Sequence, residues 1–205
     1  DVIVSGSQKA FMIPPGLSFM AFSQNALAKQ EANPNSRFYW DVTLGLQYQE
    51  AGQTPFTPPI SLYYGLQEAL KMLEEEGLEN VLTRHRNYRD MVRSSIRAMG
   101  LELFTKDAFA SNAVTSICAP PTIGANVIRK YMLEEFNIIL AGGQQKLDDV
   151  IFRMGHLGYI RELDLISVLA ALELTLVKFK FDLQLGSGVH KAQEILLNYH
   201  ISKQE

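Results

Sequence analysis

Ser5-Gly6-Ser7-Gln8-Lys9-Ala10-Phe11-Met12-Ile13-Pro14-Pro15-Gly16 places one lysine, Lys9, among small residues, after the apolar triplet Val2-Ile3-Val4 and before a Pro-Pro-Gly break. The triplet reads as the end of a buried strand, and Ser5, Gly6 and Ser7 break it into a turn with room for a close ligand. Lys9 would then point into a cleft. A primary amine condenses with a carbonyl compound only when partly unprotonated, a state that burial or cationic neighbours promote. For a lone lysine the ordinary alternative is a solvated loop residue, since lysines are rarely buried unless paired or functional.

Working outward, the proline-rich turn leads to a second strand expected at Leu17 to Phe22 and to a short helix through Gln30, with Ser23 as its N-cap. Residues 31–37 are polar and turn-like, and the aromatic-rich stretch Phe38 to Gln49 is expected to be helical. Gly52 to Pro59 holds three prolines and must be extended loop, because each proline disfavours the helical region for the residue before it. Leu62, Leu66, Ala69, Leu70 and Leu73 then recur at helical spacing up to a stop at Gly77. A second helix follows from about Glu79 to Met99, its apolar stripe formed by Val81, Leu82, His85, Tyr88, Val92 and Ile96. The pair is expected to connect two domains.

Beyond Gly100 short strands alternate with helices: strands near 101–104, 114–119, 138–141 and 150–155, helices over 125–136 and 164–179, and an amphipathic tail helix over 187–201. That pattern predicts an α+β layer of sheet covered by helices. The division expected is residues 1–60 as part of a larger domain, 61–99 as interdomain helices and 100–205 as a smaller α+β domain.

Composition narrows the partners. The 205 residues are 47% hydrophobic and 20% charged, ordinary for a globular protein with a real core. Nineteen basic against 22 acidic residues give a formal charge of −3, and no Lys/Arg cluster interleaves with aromatics, so nucleic acid is not an expected partner. No apolar run approaches the roughly 20 residues of a membrane span, and no basic-then-apolar leader opens the chain. The expected setting is therefore cytoplasmic. The single cysteine, Cys118, sits in an apolar run and reads as a buried small hydrophobe, while His85, His156, His190 and His200 lack metal-ligand spacing. The chain opens with Asp1-Val2-Ile3-Val4 as if in mid-sheet, with neither an initiator Met nor a first helix, and is expected to be a fragment.

Three further sites carry chemistry. Thr54 and Thr57 lie in the proline-punctuated loop, where hydroxyls and free backbone N–H groups could meet a phosphate, although Thr-Pro pairs are also ordinary loop material. Arg153 lies in the apolar strand Val150-Ile151-Phe152-Arg153-Met154, where a charge must find a partner or face a cleft. Its planar fork suits a carboxylate; the alternative is a structural ion pair with Asp148 or Asp149. Gly142-Gly143 and Gly186-Ser187-Gly188 match no nucleotide fingerprint and read as a turn and as a hinge before the last helix.

Ser5-Gly6-Ser7-Gln8-Lys9 followed by Pro14-Pro15-Gly16 resembles the lysine motif of class V aminotransferases, the alanine-glyoxylate and serine-glyoxylate (serine-pyruvate) group. The resemblance continues in Gln53-Thr54-Pro55-Phe56-Thr57-Pro58, in Leu140-Ala141-Gly142-Gly143, and in Phe152-Arg153-Met154-Gly155-His156-Leu157-Gly158. It implies an α/β fold, the C-terminal part of a fold type I transferase dependent on pyridoxal 5′-phosphate: the end of the large-domain sheet plus an α+β small domain. It implies that Lys9 holds the cofactor as a Schiff base and moves protons, that Gln8 touches its phosphate, and that Arg153 clamps the substrate's α-carboxylate. Thr54 and Thr57 would bind the phosphate of the partner's cofactor across a homodimer interface. Some relatives carry tyrosine where Thr54 aligns, which makes Thr57 the firmer of the two. His156 reads as a satisfied structural histidine.

Cysteine desulfurases of the same class carry histidine where Gln8 stands, so the resemblance favours transamination, with alanine or serine as donor and a 2-oxoacid such as glyoxylate or pyruvate as acceptor. The cofactor-stacking aromatic and the aspartate facing the pyridine nitrogen would lie in a missing N-terminal half. Two alternatives stay open: an incomplete, non-catalytic piece or subunit, and a class V lyase using the same lysine.

Overall fold

The computed structural model describes residues 1–32 and 38–202. The polar turn expected over residues 31–37 lies, from residue 33 onward, outside the described residues, and residues 31 and 32 instead complete a helix. Two compact units divide the chain, Asp1–Glu75 and Glu76–Glu205.

In the first unit, β1 (Val2–Gly6) pairs antiparallel with β2 (Ser18–Phe22), Val2 opposite Phe22 and Gly6 opposite Ser18. The expected buried strand is instead exposed, Ile3 at 71%, because these two strands pair only with each other and no other element of this unit covers the apolar triplet. Helix α1 (Gln24–Ala32) starts where Ser23 Oγ accepts the Ala26 N–H at 3.2 Å, the expected cap, and runs two residues past Gln30. Helix α2 (Val42–Glu50) begins four residues later than expected: the Asp41 carboxylate caps it by accepting the Leu44 N–H at 2.9 Å, and Trp40 takes φ 61°. A left-handed residue cannot continue a right-handed helix, so Phe38, Tyr39 and Trp40 stay outside it. The segment 53–59 is loop, as its prolines require, and α3 (Ile60–Glu76) follows. Ala69 is the buried centre of its apolar stripe, whereas Leu70 lies off it and is exposed.

The second unit carries the main core. Helix α4 (Leu78–Ala98) buries Val81, His85, Tyr88, Met91, Val92 and Ile96, while Leu82, expected on the same stripe, is exposed. The sheet contains β3 (Val114–Cys118), β4 (Ala141–Gly142) and β5 (Ile151–Gly155) in the order β3-β5-β4, all antiparallel. Its register puts Thr115, Ile117, Phe152, Met154 and Gly142 on one face and Ser116, Cys118, Arg153 and Ala141 on the other.

Helices α5 (Ala125–Phe136), α6 (Glu162–Lys178) and α7 (Ser187–Ser202) complete the unit. Ile117, Phe152 and Met154 of the first sheet face join Ile128, Met132, Leu165, Leu169, Leu172 and Leu176 in the core. Burying each of these side chains is worth about 2 kcal/mol.

Two expected strands are much reduced. Residues 101–104 contribute a single bridge, Leu103 to Ile117, and 138–141 narrow to the two-residue β4. In both places apolar composition reports burial rather than ladder pairing: Leu101 and Leu140 are core residues outside any strand. Among the described residues no helix is long and apolar enough to cross a membrane.

Candidate active site

The turn carrying Lys9 is closed by a residue that its sequence does not advertise. Ser7 is fully buried. Its Oγ donates to the Pro14 carbonyl at 2.8 Å and accepts the Leu17 N–H at 3.1 Å. Its backbone N–H donates to the Leu17 carbonyl at 3.0 Å, and its carbonyl accepts the Ile13 N–H at 3.3 Å. Four hydrogen bonds from one residue therefore pin both ends of the 8–16 loop, and the pinned loop presents Gln8 and Lys9 to solvent. Both side chains are exposed within this unit. A methyl group at Gly6 would come within 2.9 Å of Gln8 Oε1, the free end of an exposed side chain that can swing aside.

Ser7→Ala removes the donor to Pro14 and the acceptor for Leu17. The expected cost is about 2 kcal/mol, two net hydrogen bonds, with faster hydrogen exchange at the Leu17 amide. Unaltered exchange there would mean that the hydroxyl does not hold the loop.

Thr54 Oγ1 donates to the Phe56 carbonyl at 2.8 Å, which shapes the 53–59 loop; Thr57 is exposed. Among the described residues no hydrogen bond links either threonine to Gln8 or Lys9. Aromatic contacts flank this loop, with Phe56 4.8 Å from Tyr39 and 6.0 Å from Phe38, ring centre to ring centre.

Arg153 belongs to the second unit and is half-buried on the sheet face opposite Phe152. Its Nε donates to the Gly142 carbonyl at 2.9 Å. The expected alternative, an ion pair with Asp148 or Asp149, does not form among the described residues. The Asp149 carboxylate instead accepts the Asn126 N–H at 2.7 Å at the start of α5, where the helix dipole favours a negative charge. Gly142-Gly143 is not a free turn: Gly142 sits in β4, and a Cβ at Gly143 would run into the Leu147 carbonyl.

The motif that follows Arg153 is held by two buried histidines. His156 Nδ1–H donates to the Asn112 carbonyl at 3.0 Å, and its Nε2 accepts the Thr115 hydroxyl at 2.9 Å. It is the satisfied structural histidine that the motif suggested, and burial pushes its pKa down to about 4. His85 Nδ1–H donates to the Val81 carbonyl at 2.8 Å, and Nε2 accepts the Gly158 N–H at 3.1 Å. Arg84 adds a bond to the Gly158 carbonyl at 3.0 Å while paired with Glu76. Cys118 is half-buried rather than buried, because its strand face is the open one; partial burial raises its thiol pKa. Among the described residues no group of three or more His, Cys, Asp or Glu could hold a metal ion.

Comparison with known proteins bears on this arrangement. A family model described as aminotransferase class-V matches residues 1–161. The chain is 39% identical over 199 residues to a soluble hydrogenase 42 kDa subunit from Anabaena cylindrica, covering 97% of this chain and 52% of that protein. It is 36% identical over 203 residues to a serine–glyoxylate aminotransferase from Arabidopsis thaliana, covering 98% and 50%. Among solved structures, pyridoxamine-pyruvate aminotransferase from Mesorhizobium loti matches with a TM-score of 0.87 at 27% identity, over 96% of this chain and 51% of that one. The chain thus spans about half the length of these relatives, and its mixed α/β fold is that of the corresponding half of a fold type I aminotransferase. With a model match over 161 of its 205 residues, the chain belongs to the class V aminotransferase family.

Proposed function

We propose that this chain is the C-terminal part of a pyridoxal 5′-phosphate-dependent transaminase that moves an amino group from a small amino acid, alanine or serine, to a 2-oxoacid such as glyoxylate or pyruvate. The observation that carries this is the pinned loop that presents Gln8 and Lys9 side by side in a chain of class V aminotransferase descent. The donor set fits the group: a primary amine suits its aldehyde, and the Gln8 amide offers N–H donors to its phosphate. The names of relatives, serine–glyoxylate and alanine–glyoxylate aminotransferases among them, support the substrate class.

Pyridoxal phosphate, when bound, supplies the reactive carbonyl carbon and a ring that stores the electron pair left at the substrate Cα. Lys9 would hold that group through its Nζ, and the same amine, when free, would take the proton from the substrate Cα, which requires it to be unprotonated at that moment. Gln8 binds the phosphate through its side-chain amide. Arg153 orients the amino acid and the oxoacid by their carboxylates, through paired hydrogen bonds that a lysine could not form. Thr54 and Thr57 serve the phosphate of a second subunit, in a cytoplasmic homodimer that also includes an N-terminal half. In this division of labour, residues 1–60 belong to the cofactor-binding domain, 61–99 connect, and 100–205 form the smaller domain.

The test is direct. Borohydride reduction in the presence of pyridoxal phosphate should leave added mass on the peptide containing Lys9, and the protein should convert alanine or serine and glyoxylate one for one. Lys9→Ala should lose both. A Lys9→Ala protein that still transaminates sinks the assignment, and pyruvate plus ammonia formed from serine without any oxoacid would mark a lyase instead.

A further inference from the structure

Strand β4 is two residues long and lies at the sheet edge, so its ladder with β5 has few bonds to hold it in place. Two guanidinium groups supplement that ladder. Arg129 of α5 donates from Nε to the Leu140 carbonyl at 2.9 Å and from Nη1 to Asn126 Oδ1 at 2.9 Å. Arg153 of β5 donates from Nε to the Gly142 carbonyl at 2.9 Å. They grip from opposite faces. Ala141 pairs with Arg153 and so shares its face, whereas Gly142 pairs with Phe152 on the other; a methyl group at Gly142 would come within 2.7 Å of Arg129 Nη1. The two neighbours that flank Arg153 in register, Ser116 and Ala141, are both small.

We propose that Arg129 is a positioning residue for Arg153: by fixing β4 it holds the Gly142 carbonyl against Arg153 Nε. The fork is thereby turned so that Nη1 and Nη2, which carry no hydrogen bond among the described residues, face outward as a pair that takes a carboxylate end-on. A guanidinium has five N–H donors in one rigid plane, so committing Nε fixes the direction of the other four. The side-on mode through Nε and one Nη is closed to the ligand, because the Gly142 carbonyl already occupies it. This rests on the assignment of Arg153 to carboxylate binding.

The experiment reads the Arg153 guanidinium by NMR, as exchange of its Nε–H with water and as an acetate titration, in the parent chain and in Arg129→Met, Arg129→Lys, Gly142→Ala and Arg153→Met. Arg129→Met should speed Nε–H exchange and weaken acetate binding, each by about tenfold, the scale of one hydrogen bond. Arg129→Lys, which can still reach Leu140, should restore most of both. Gly142→Ala, which displaces the Arg129 fork without removing it, should reproduce the Arg129→Met result even if that variant folds poorly. Unchanged exchange in Arg129→Met and Gly142→Ala overturns the proposal, as does faster exchange with unchanged acetate affinity. An Arg153→Met chain that binds acetate as the parent does overturns instead the carboxylate assignment beneath it, whatever Arg129 does.

Discussion

Replacing Glu173 with alanine is expected to destabilise the chain by about 3 kcal/mol, the scale of two hydrogen bonds to a charged acceptor less the desolvation cost that the carboxylate already bears. Glu173 lies in α6, 3% exposed, and its two oxygens accept the Gly186 N–H at 2.7 Å and the Gly188 N–H at 2.6 Å. Those are N–H groups at the start of α7, which have no partner within the helix and which point the positive end of its dipole at the carboxylate. Gly186 can present its N–H because it takes φ +89°, a region that side chains avoid. Gly188 can approach because a Cβ there would strike Met99. The segment expected to be a hinge is therefore clamped. Glu173→Gln keeps an acceptor for one N–H but turns an amide donor toward the other, and should lose about half as much. Urea denaturation of the three chains decides: a loss below about 1 kcal/mol in the alanine variant would mean that solvent satisfies these groups as well as Glu173 does.

The second large effect is on pH dependence. Burial, reinforced by the neighbouring His85 and by the Arg89 guanidinium, holds the His156 pKa down to about 4 from 6.5, against the opposing pull of its bond to the Asn112 carbonyl. Between these values the unfolded chain binds a proton that the folded chain refuses, so stability falls as pH drops from about 6.5 to about 4. Above that window both states are neutral at this site, and below it both are protonated. The total loss is about 3 kcal/mol at 1.36 kcal/mol per unit. His156→Gln retains hydrogen-bonding groups but does not titrate, so its urea midpoint should decline less steeply across that window. Identical slopes in the two proteins would show that other groups set the acid limit.

Much of the secondary structure was legible from local pattern. The helices α3 to α7 announce themselves by apolar spacing, and Ser23 and the prolines of 53–59 act through their own backbone. The strands at 101–104 and 138–141 misled, since an apolar run records burial in either state, and Leu101 and Leu140 are buried without pairing. Phe38 to Trp40 misled for the opposite reason: aromatic content suggested a packed helix, yet Phe38 and Trp40 are each 82% exposed and Asp41 starts the helix after them.

The family, and with it Lys9, Gln8 and Arg153 as the residues to watch, came from short contiguous motifs that any single sequence displays. The long-range bonds that fix the loops and strands came only from the fold. Ser7 reaches Leu17, His156 reaches Thr115, His85 reaches Gly158, Arg129 reaches Leu140 and Glu173 reaches the start of α7, each across a stretch of chain that leaves no periodic trace. Periodicity reports which side of an element faces the core, because burial acts on every turn alike. A hydrogen bond between distant residues depends on one distance and one angle, and those exist only once the chain has packed.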